Sequence, residues 1–109
     1  MPASFDLKTT SNQQFMFNLR AGNNEVILTS ETYPAKDSAL DGIESVRIHS
    51  QIDEQYEKNE SGSQHYFVLR AANNKTIGRS EMYTSSSARD KGIASVKSNA
   101  ANAPVRDLT

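Results

Sequence analysis

The chain has no cysteine and no tryptophan, only three prolines, and just 36% hydrophobic residues over its 109 positions. The missing cysteine removes disulfides, thiolate catalysis and Cys-based zinc sites together. No run approaches the roughly eighteen apolar residues that a membrane-spanning helix needs. The opening Met1-Pro-Ala-Ser-Phe-Asp-Leu-Lys8 has no basic stretch followed by an apolar one, so no secretory signal is read there. An excess of one charge is lacking too. Twelve Lys and Arg against thirteen Asp and Glu leave −1, which gives no field for strong nonspecific attraction to nucleic acid or anionic lipid. These absences make a cytoplasmic location the default expectation, with no membrane partner. A chain of this size makes one domain and buries roughly 65% of its unfolded surface, enough for a modest core.

What the chain does have is itself, twice. Residues 17–46 align without a gap on residues 67–96, and fourteen of the thirty positions are identical, where unrelated segments match at about one or two. The shared pattern reads F-x-L-R-A-x-N-N-x-x-I-x-x-S-E-x-Y, then G-I-x-S-V. The chain is therefore expected to be a single domain of two repeats, about 1–55 and 56–109.

Each copy reads as strand, strand, strand, helix. In the first, Phe5-Asp-Leu-Lys8 is a short alternating run, followed by Gln14 to Ala21 and Val26 to Ser30. Asn tolerates the left-handed backbone of tight hairpins, so Asn23-Asn24 and Asn73-Asn74 mark hairpin tips. A three-residue loop would set Ala21 opposite Glu25 and Leu19 opposite Ile27, placing the repeated apolar trio Phe17, Leu19 and Ile27 on one face. That register sends Met16, Asn18, Arg20, Val26, Leu28 and Ser30 to the other, solvent side, with Tyr66, Val68, Arg70, Thr76, Gly78 and Ser80 in the second copy. The helices are expected over Pro34 to His49, with Pro at the first helical position, and Ser85 to Ala100, after several candidate caps. Ile43 and Val46, repeated as Ile93 and Val96, form their buried stripe. Gly42 and Gly92 lie inside those helices at a cost of roughly 1 kcal/mol each, which implies close approach of a neighbour. Tyr33 and Tyr83, just before the helices, suit a hydrophobic staple on the first turn.

A further strand follows each helix, at Gln55-Tyr-Glu-Lys58 and Val105-Arg-Asp-Leu108. The former also occupies the place that Phe5-Asp-Leu-Lys8 holds ahead of its own hairpin, so one segment closes the first unit and opens the second. Three strands and one helix make a small core with open edges, and two copies that exchange strands bury more.

The blocks L-R-A-G-N-N-E-V-I-L-T-S-E-x-Y and I-G-R-S-E-M-Y, the repeated G-I-x-S-V and the terminal V-R-D-L-T resemble the YegP-like family of small bacterial proteins of unknown function. The resemblance covers nearly the whole chain. It implies an α+β fold of tandem β-β-β-α-β units forming one mainly antiparallel sheet, with two helices on one face and the C-terminal strands exchanged between units. It brings no activity, cofactor or catalytic residue set.

Chemistry is sparse. His49 and His65 sit at non-equivalent positions with no metal-ligand spacing, and there is no G-x-S-x-G and no phosphate-cradling glycine loop. Asp37, Asp41 and Glu44 read as a solvated helix face. No catalytic, cofactor or metal residue is expected, and the chain is read as a non-enzyme. The polar residues kept in both copies (Arg20, Ser30, Glu31 and Tyr33 with Arg70, Ser80, Glu81 and Tyr83) read first as caps and pairs, with Arg20 held by a carboxylate on a neighbouring strand. The functional reading is a binding surface of Met16, Arg20, Tyr66 and Arg70 on the open sheet face, for a protein or small-molecule partner. The alternative is weak nucleic-acid contact, because residues 64–100 carry +4 and the remainder −5. Strand exchange satisfied within one chain makes a monomer the expected state, with a domain-swapped dimer as its rival.

Overall fold

The computed structural model describes residues 3–109. Its elements are β1 (Ser4–Thr9), β2 (Phe15–Arg20), β3 (Val26–Ser30), α1 (Lys36–His49), a 3-10 turn (Asp53–Gln55), β4 (Tyr56–Ser61), β5 (Gln64–Arg70), β6 (Thr76–Arg79), α2 (Ser86–Ala100) and β7 (Val105–Asp107). The seven strands form one sheet in the order β4-β5-β6-β3-β2-β1-β7. Every pairing is antiparallel except β1 with β7. The two repeats meet at the β3–β6 seam, where Thr29 pairs with Arg79 across an internal pseudo-two-fold axis.

One core explains the layering. Phe5, Leu7, Phe17, Leu19, Leu28, Phe67, Leu69 and Ile77 project from the sheet into the same cluster as Ile43, Val46, Ile93 and Val96 from the helices. Both helices therefore lie on one face, and the other face is left uncovered. α1 packs on β2 of its own repeat and on β5 and β6 of the other. The exchange is visible at the C-terminus: β7, which follows α2, pairs with β1 of the first repeat, Phe5 opposite Val105.

The hairpin register differs from the sequence expectation. Near the tip the three-residue loop holds, with the Ala21 N–H donating to the Glu25 carbonyl at 2.8 Å and Arg20 opposite Val26. One residue further the ladder shifts, and Leu19 pairs with Leu28 rather than Ile27. The second copy repeats the shift, with Arg70 opposite Thr76 but Leu69 opposite Gly78. A bulge sets two residues against one, so Ile27 and Leu28 both enter the core. Leu28 is thus a core residue and not part of the open face. Gly78, its counterpart, is buried beneath it: a Cβ at Gly78 would lie 2.9 Å from Leu28 Cγ. The axis has room for one leucine, not two.

The asparagine tips are as expected, with Asn24 and Asn74 at φ 69° and 67°. α1 starts two residues later than Pro34: Ala35 is its extended N-cap and supplies no side-chain bond. α2 starts at Ser86 with Ser85 as N-cap, whose hydroxyl accepts from the Ala88 N–H at 3.0 Å. Among the described residues no helix is long and apolar enough to cross a membrane.

Candidate functional site

The polar residues kept in both copies are mostly occupied in holding the fold. The Ser30 hydroxyl accepts from the Phe17 N–H at 2.8 Å and donates to the Glu31 carbonyl at 2.7 Å. Ser80 does the same for Phe67 and Glu81 at 3.0 and 2.8 Å. Each serine replaces a ladder bond at the end of its strand, where an unpaired main-chain donor would be costly.

Tyr33 and Tyr83 lie against the middle of the helices. Each ring stacks on a core phenylalanine, Tyr33 on Phe17 at 6.4 Å and Tyr83 on Phe67 at 6.5 Å, and reaches the mid-helix glycine, Gly42 or Gly92. Burial raises the pKa of both phenols above the usual tyrosine value, with Glu31 adding to the effect at Tyr33, and Glu81 and Glu25 at Tyr83.

Arg20 and Arg70 are cross-strand ties. Arg20 Nε donates to Asp6 at 2.9 Å and its terminal nitrogen to the Asn24 carbonyl at 3.0 Å. Arg70 makes the matching bonds to Glu57 at 2.8 Å and to the Asn74 carbonyl at 3.1 Å. Each arginine thus clamps its own hairpin tip to the preceding strand. The first clamp is buried: Asp6 is 2% exposed, accepts the Ser4 hydroxyl at 2.8 Å and has Arg106 at 3.8 Å. The second is open, with the Glu57 side chain 44% exposed, and the hydrogen bond from Arg70 lowers the Glu57 pKa.

The four residues expected to make a surface therefore fall into two groups. Met16 and Arg20 lie on β2, Tyr66 and Arg70 on β5, and β3 and β6 run between them. What lies between is the feature the sequence reading passed over. A groove of about 350 Å³ follows the seam, lined by Thr29, Ser30, Glu31, Arg79, Ser80 and Glu81. Arg79 also extends over Tyr66, 5.8 Å from its ring, and on the other side of the seam Thr29 accepts from the Asn18 side chain at 3.0 Å. The Ser-Glu pair, present twice in the sequence, converges on this groove because β3 and β6 end beside each other. Glu31 and Glu81 are exposed and make no ion pair among the described residues.

Part of the basic character of the second repeat is neutralised at close range, while Lys75, Arg79 and Lys91 make no ion pair among the described residues. Arg70 pairs with Glu57, Lys97 with Asp53, Lys58 with Asp90 at 3.2 Å, and Arg89 lies 3.5 Å from the same carboxylate. His49 is a local brace. His49 Nδ1 lies 2.8 Å from the Ser45 carbonyl, and its Nε2 accepts from the Ala72 N–H at 3.2 Å. His65 is 3.5 Å from Glu60. Among the described residues no group of three or more His, Cys, Asp or Glu is placed to hold a metal ion.

Comparison with known proteins fits this picture of a doubled fold. The model of a domain of unknown function, DUF1508, matches twice, over residues 11–57 and 60–107. A UPF0339 protein of Pseudomonas aeruginosa is 61% identical over 57 residues, 52% of each chain. The UPF0339 protein YegP of Escherichia coli is 53% identical over 58 residues, 53% of each. The chain spans about half the length of the curated relatives it matches. The solution structure of the E. coli yegP protein, itself described as of unknown function, superposes with a TM-score of 0.94 at 49% identity. That superposition covers 100% of this chain and 95% of the other. A UPF0339 protein of Shewanella oneidensis gives 0.93 at 48% identity, with 100% and 93% covered. None of these matches indicates catalysis.

Proposed function

The chain belongs to the DUF1508 family, and we propose that it serves as a small non-catalytic binding module whose contact surface is the uncovered sheet face, centred on the β3–β6 seam. The observation that carries this reading is the seam groove, where Glu31, Glu81 and Arg79 present charge beside the Tyr66 ring with no ion-pair partner among the described residues. An aromatic ring backed by a guanidinium is a favourable anchor for a partner. Arg20 and Arg70 shape this face but are committed to Asp6 and Glu57, so they are not its free anchors.

The partner is a protein segment or small molecule that offers cationic or amide groups to the two glutamates. Nucleic acid is disfavoured by the carboxylates that line the groove and by the ion pairs that occupy Arg70, Lys97 and Lys58. The exchange of β7 within one chain supports a monomeric module, and the absence of cysteine fits a cytoplasmic setting.

The test is cross-linked capture from lysate with the natural chain and a Tyr66→Ala/Arg79→Glu variant. Partners lost by the variant, with its melting temperature kept, support the face. Identical partner sets would remove it. A gel shift with single-stranded RNA at low salt would instead favour the nucleic-acid reading.

A further inference from the structure

We propose that the outer edge of β4 is a docking site for an extended segment of another protein, which adds to the sheet parallel to β4 and carries an apolar, a basic and an acidic residue in succession. This surface lies at the end of the sheet and is independent of the seam groove.

The argument starts from an asymmetry that the duplication creates. β1 and β4 are equivalent, since Phe5 pairs with Leu19 as Tyr56 pairs with Leu69. α2 delivers its following strand, β7, to the outer edge of β1, where the Phe5 N–H donates to the Pro104 carbonyl and the Leu108 N–H to the Leu7 carbonyl, both at 2.8 Å. α1 is followed instead by a tight turn, closed by the Tyr56 N–H donating to the Asp53 carbonyl three residues earlier. The chain folds back through the Asp53–Gln55 turn and becomes β4 itself, so the strand that would match β7 does not exist. Among the described residues no strand pairs with the outer side of β4. By equivalence with Phe5 and Leu7, the Tyr56 carbonyl and the N–H and carbonyl of Lys58 point outward without a strand partner.

The pairing of β7 with β1 supplies a template for the occupant. Val105 lies beside Phe5, Arg106 beside Asp6, and Asp107 beside Leu7, where it pairs with Lys36. On β4 the corresponding neighbours are Tyr56, Glu57 and Lys58. Tyr56 is anchored by its hydroxyl donating to the Ser50 carbonyl, has Lys97 5.9 Å from its ring, and adjoins Ile93 in a groove of about 390 Å³ that Asp53, Lys58, Asp90 and Lys97 also line. The Tyr56 ring and Ile93 offer the apolar contact for the first residue, within charged surroundings. Asp6 is flanked by two arginines, Arg20 and Arg106, whereas among the described residues Glu57 has one, Arg70, beside the amide of Asn59. A basic second residue completes that set, and an acidic third residue competes for Lys58 with Asp90, which lies 3.2 Å from its ammonium. Main-chain bonds along the edge give affinity and these alternate side chains give selectivity, as in other strand additions. The charges of Glu57, Lys58 and Glu60 discourage nonspecific pairing of the same edge.

The probe is a synthetic peptide with the sequence of residues 103–109, titrated into the full 15N-labelled chain and followed by amide chemical shifts. The expected result is saturable shifts over residues 56–60, weakened about fivefold by Lys58→Pro, which removes one outward donor from an edge position that tolerates proline. A peptide with its Arg replaced by Glu should also bind several-fold more weakly. That comparison leaves the protein untouched and decides the matter should Lys58→Pro unfold. Shifts confined to β1, from displacement of β7, would overturn the proposal. So would the absence of shifts at millimolar peptide, or broadening of β4 with protein concentration alone, which would make a second copy the occupant.

Discussion

The Tyr33 phenol fills the space that a side chain at Gly42 would need: a Cβ there would lie 2.5 Å from the hydroxyl and 2.9 Å from Cζ. Tyr83 stands in the same relation to Gly92. The glycine inside each helix is thus the counterpart of the tyrosine before it, and both copies keep the pair. Gly42→Ala should destabilise the chain by about 1–3 kcal/mol despite alanine's better helix propensity, because the ring is pinned against Phe17. In a Tyr33→Phe background, which removes the nearest atom, the penalty should shrink. Urea unfolding of the four chains of this cycle measures the coupling.

Across the seam the two copies divide one leucine between them. Gly78→Ala pushes a methyl against Leu28 Cγ and to 3.0 Å from the Thr29 carbonyl, and should cost about 1–3 kcal/mol. The exchanged pair Leu28→Gly/Gly78→Leu should recover much of the loss of either single change, since the axis then again holds one leucine. Thermal melts of the single and double variants test this.

Arg20 and Arg70 make the same bonds but should not matter equally. Arg20→Ala leaves the nearly buried Asp6 carboxyl with the Ser4 hydroxyl and Arg106 at 3.8 Å, and should cost about 2–4 kcal/mol. Arg70→Ala exposes Glu57 further to water and should cost far less. Denaturant midpoints of the two variants should separate clearly.

Acid should loosen β7. Hydrogen bonds from Lys36 and Thr109 hold the Asp107 pKa down at about 2, from an ordinary value of 3.8. A group whose pKa is depressed by folding contributes stability above its unfolded value and loses it as pH falls toward its folded one. The contribution is therefore present above about pH 4 and lost between there and pH 2. Asp107→Asn should abolish that slope in β7 amide exchange while leaving the slope of β2 and β5 unchanged.

Much of the architecture was legible because it was written twice. The repeat gave the element order, the left-handed Asn24 and Asn74, the Ile43–Val46 stripe and the strand exchanged at the C-terminus. The bulge at Ile27 was not legible, because alternation along one strand assumes an unbroken ladder, and the clue that Leu28 belongs inside is Gly78 across a pairing fifty residues away. The close approach implied by Gly42 was legible, but its partner was not: only the fold brings Tyr33 there. The site fared similarly. The sequence identified arginine as a pairing residue, whereas the meeting of Ser30-Glu31 with Ser80-Glu81 depends on β3 lying beside β6, which no local pattern encodes.

The central claim, that the uncovered face at the β3–β6 seam is the contact surface, is tested most directly by mapping amide shifts of the 15N-labelled chain against pooled peptides, nucleotides and single-stranded RNA. The account predicts that the first ligand to give saturable shifts perturbs Thr29, Glu31, Tyr66, Arg79 and Glu81 together and leaves the exposed sides of α1 and α2 unchanged. Saturable shifts confined to the helices, with the seam residues unmoved, would contradict it.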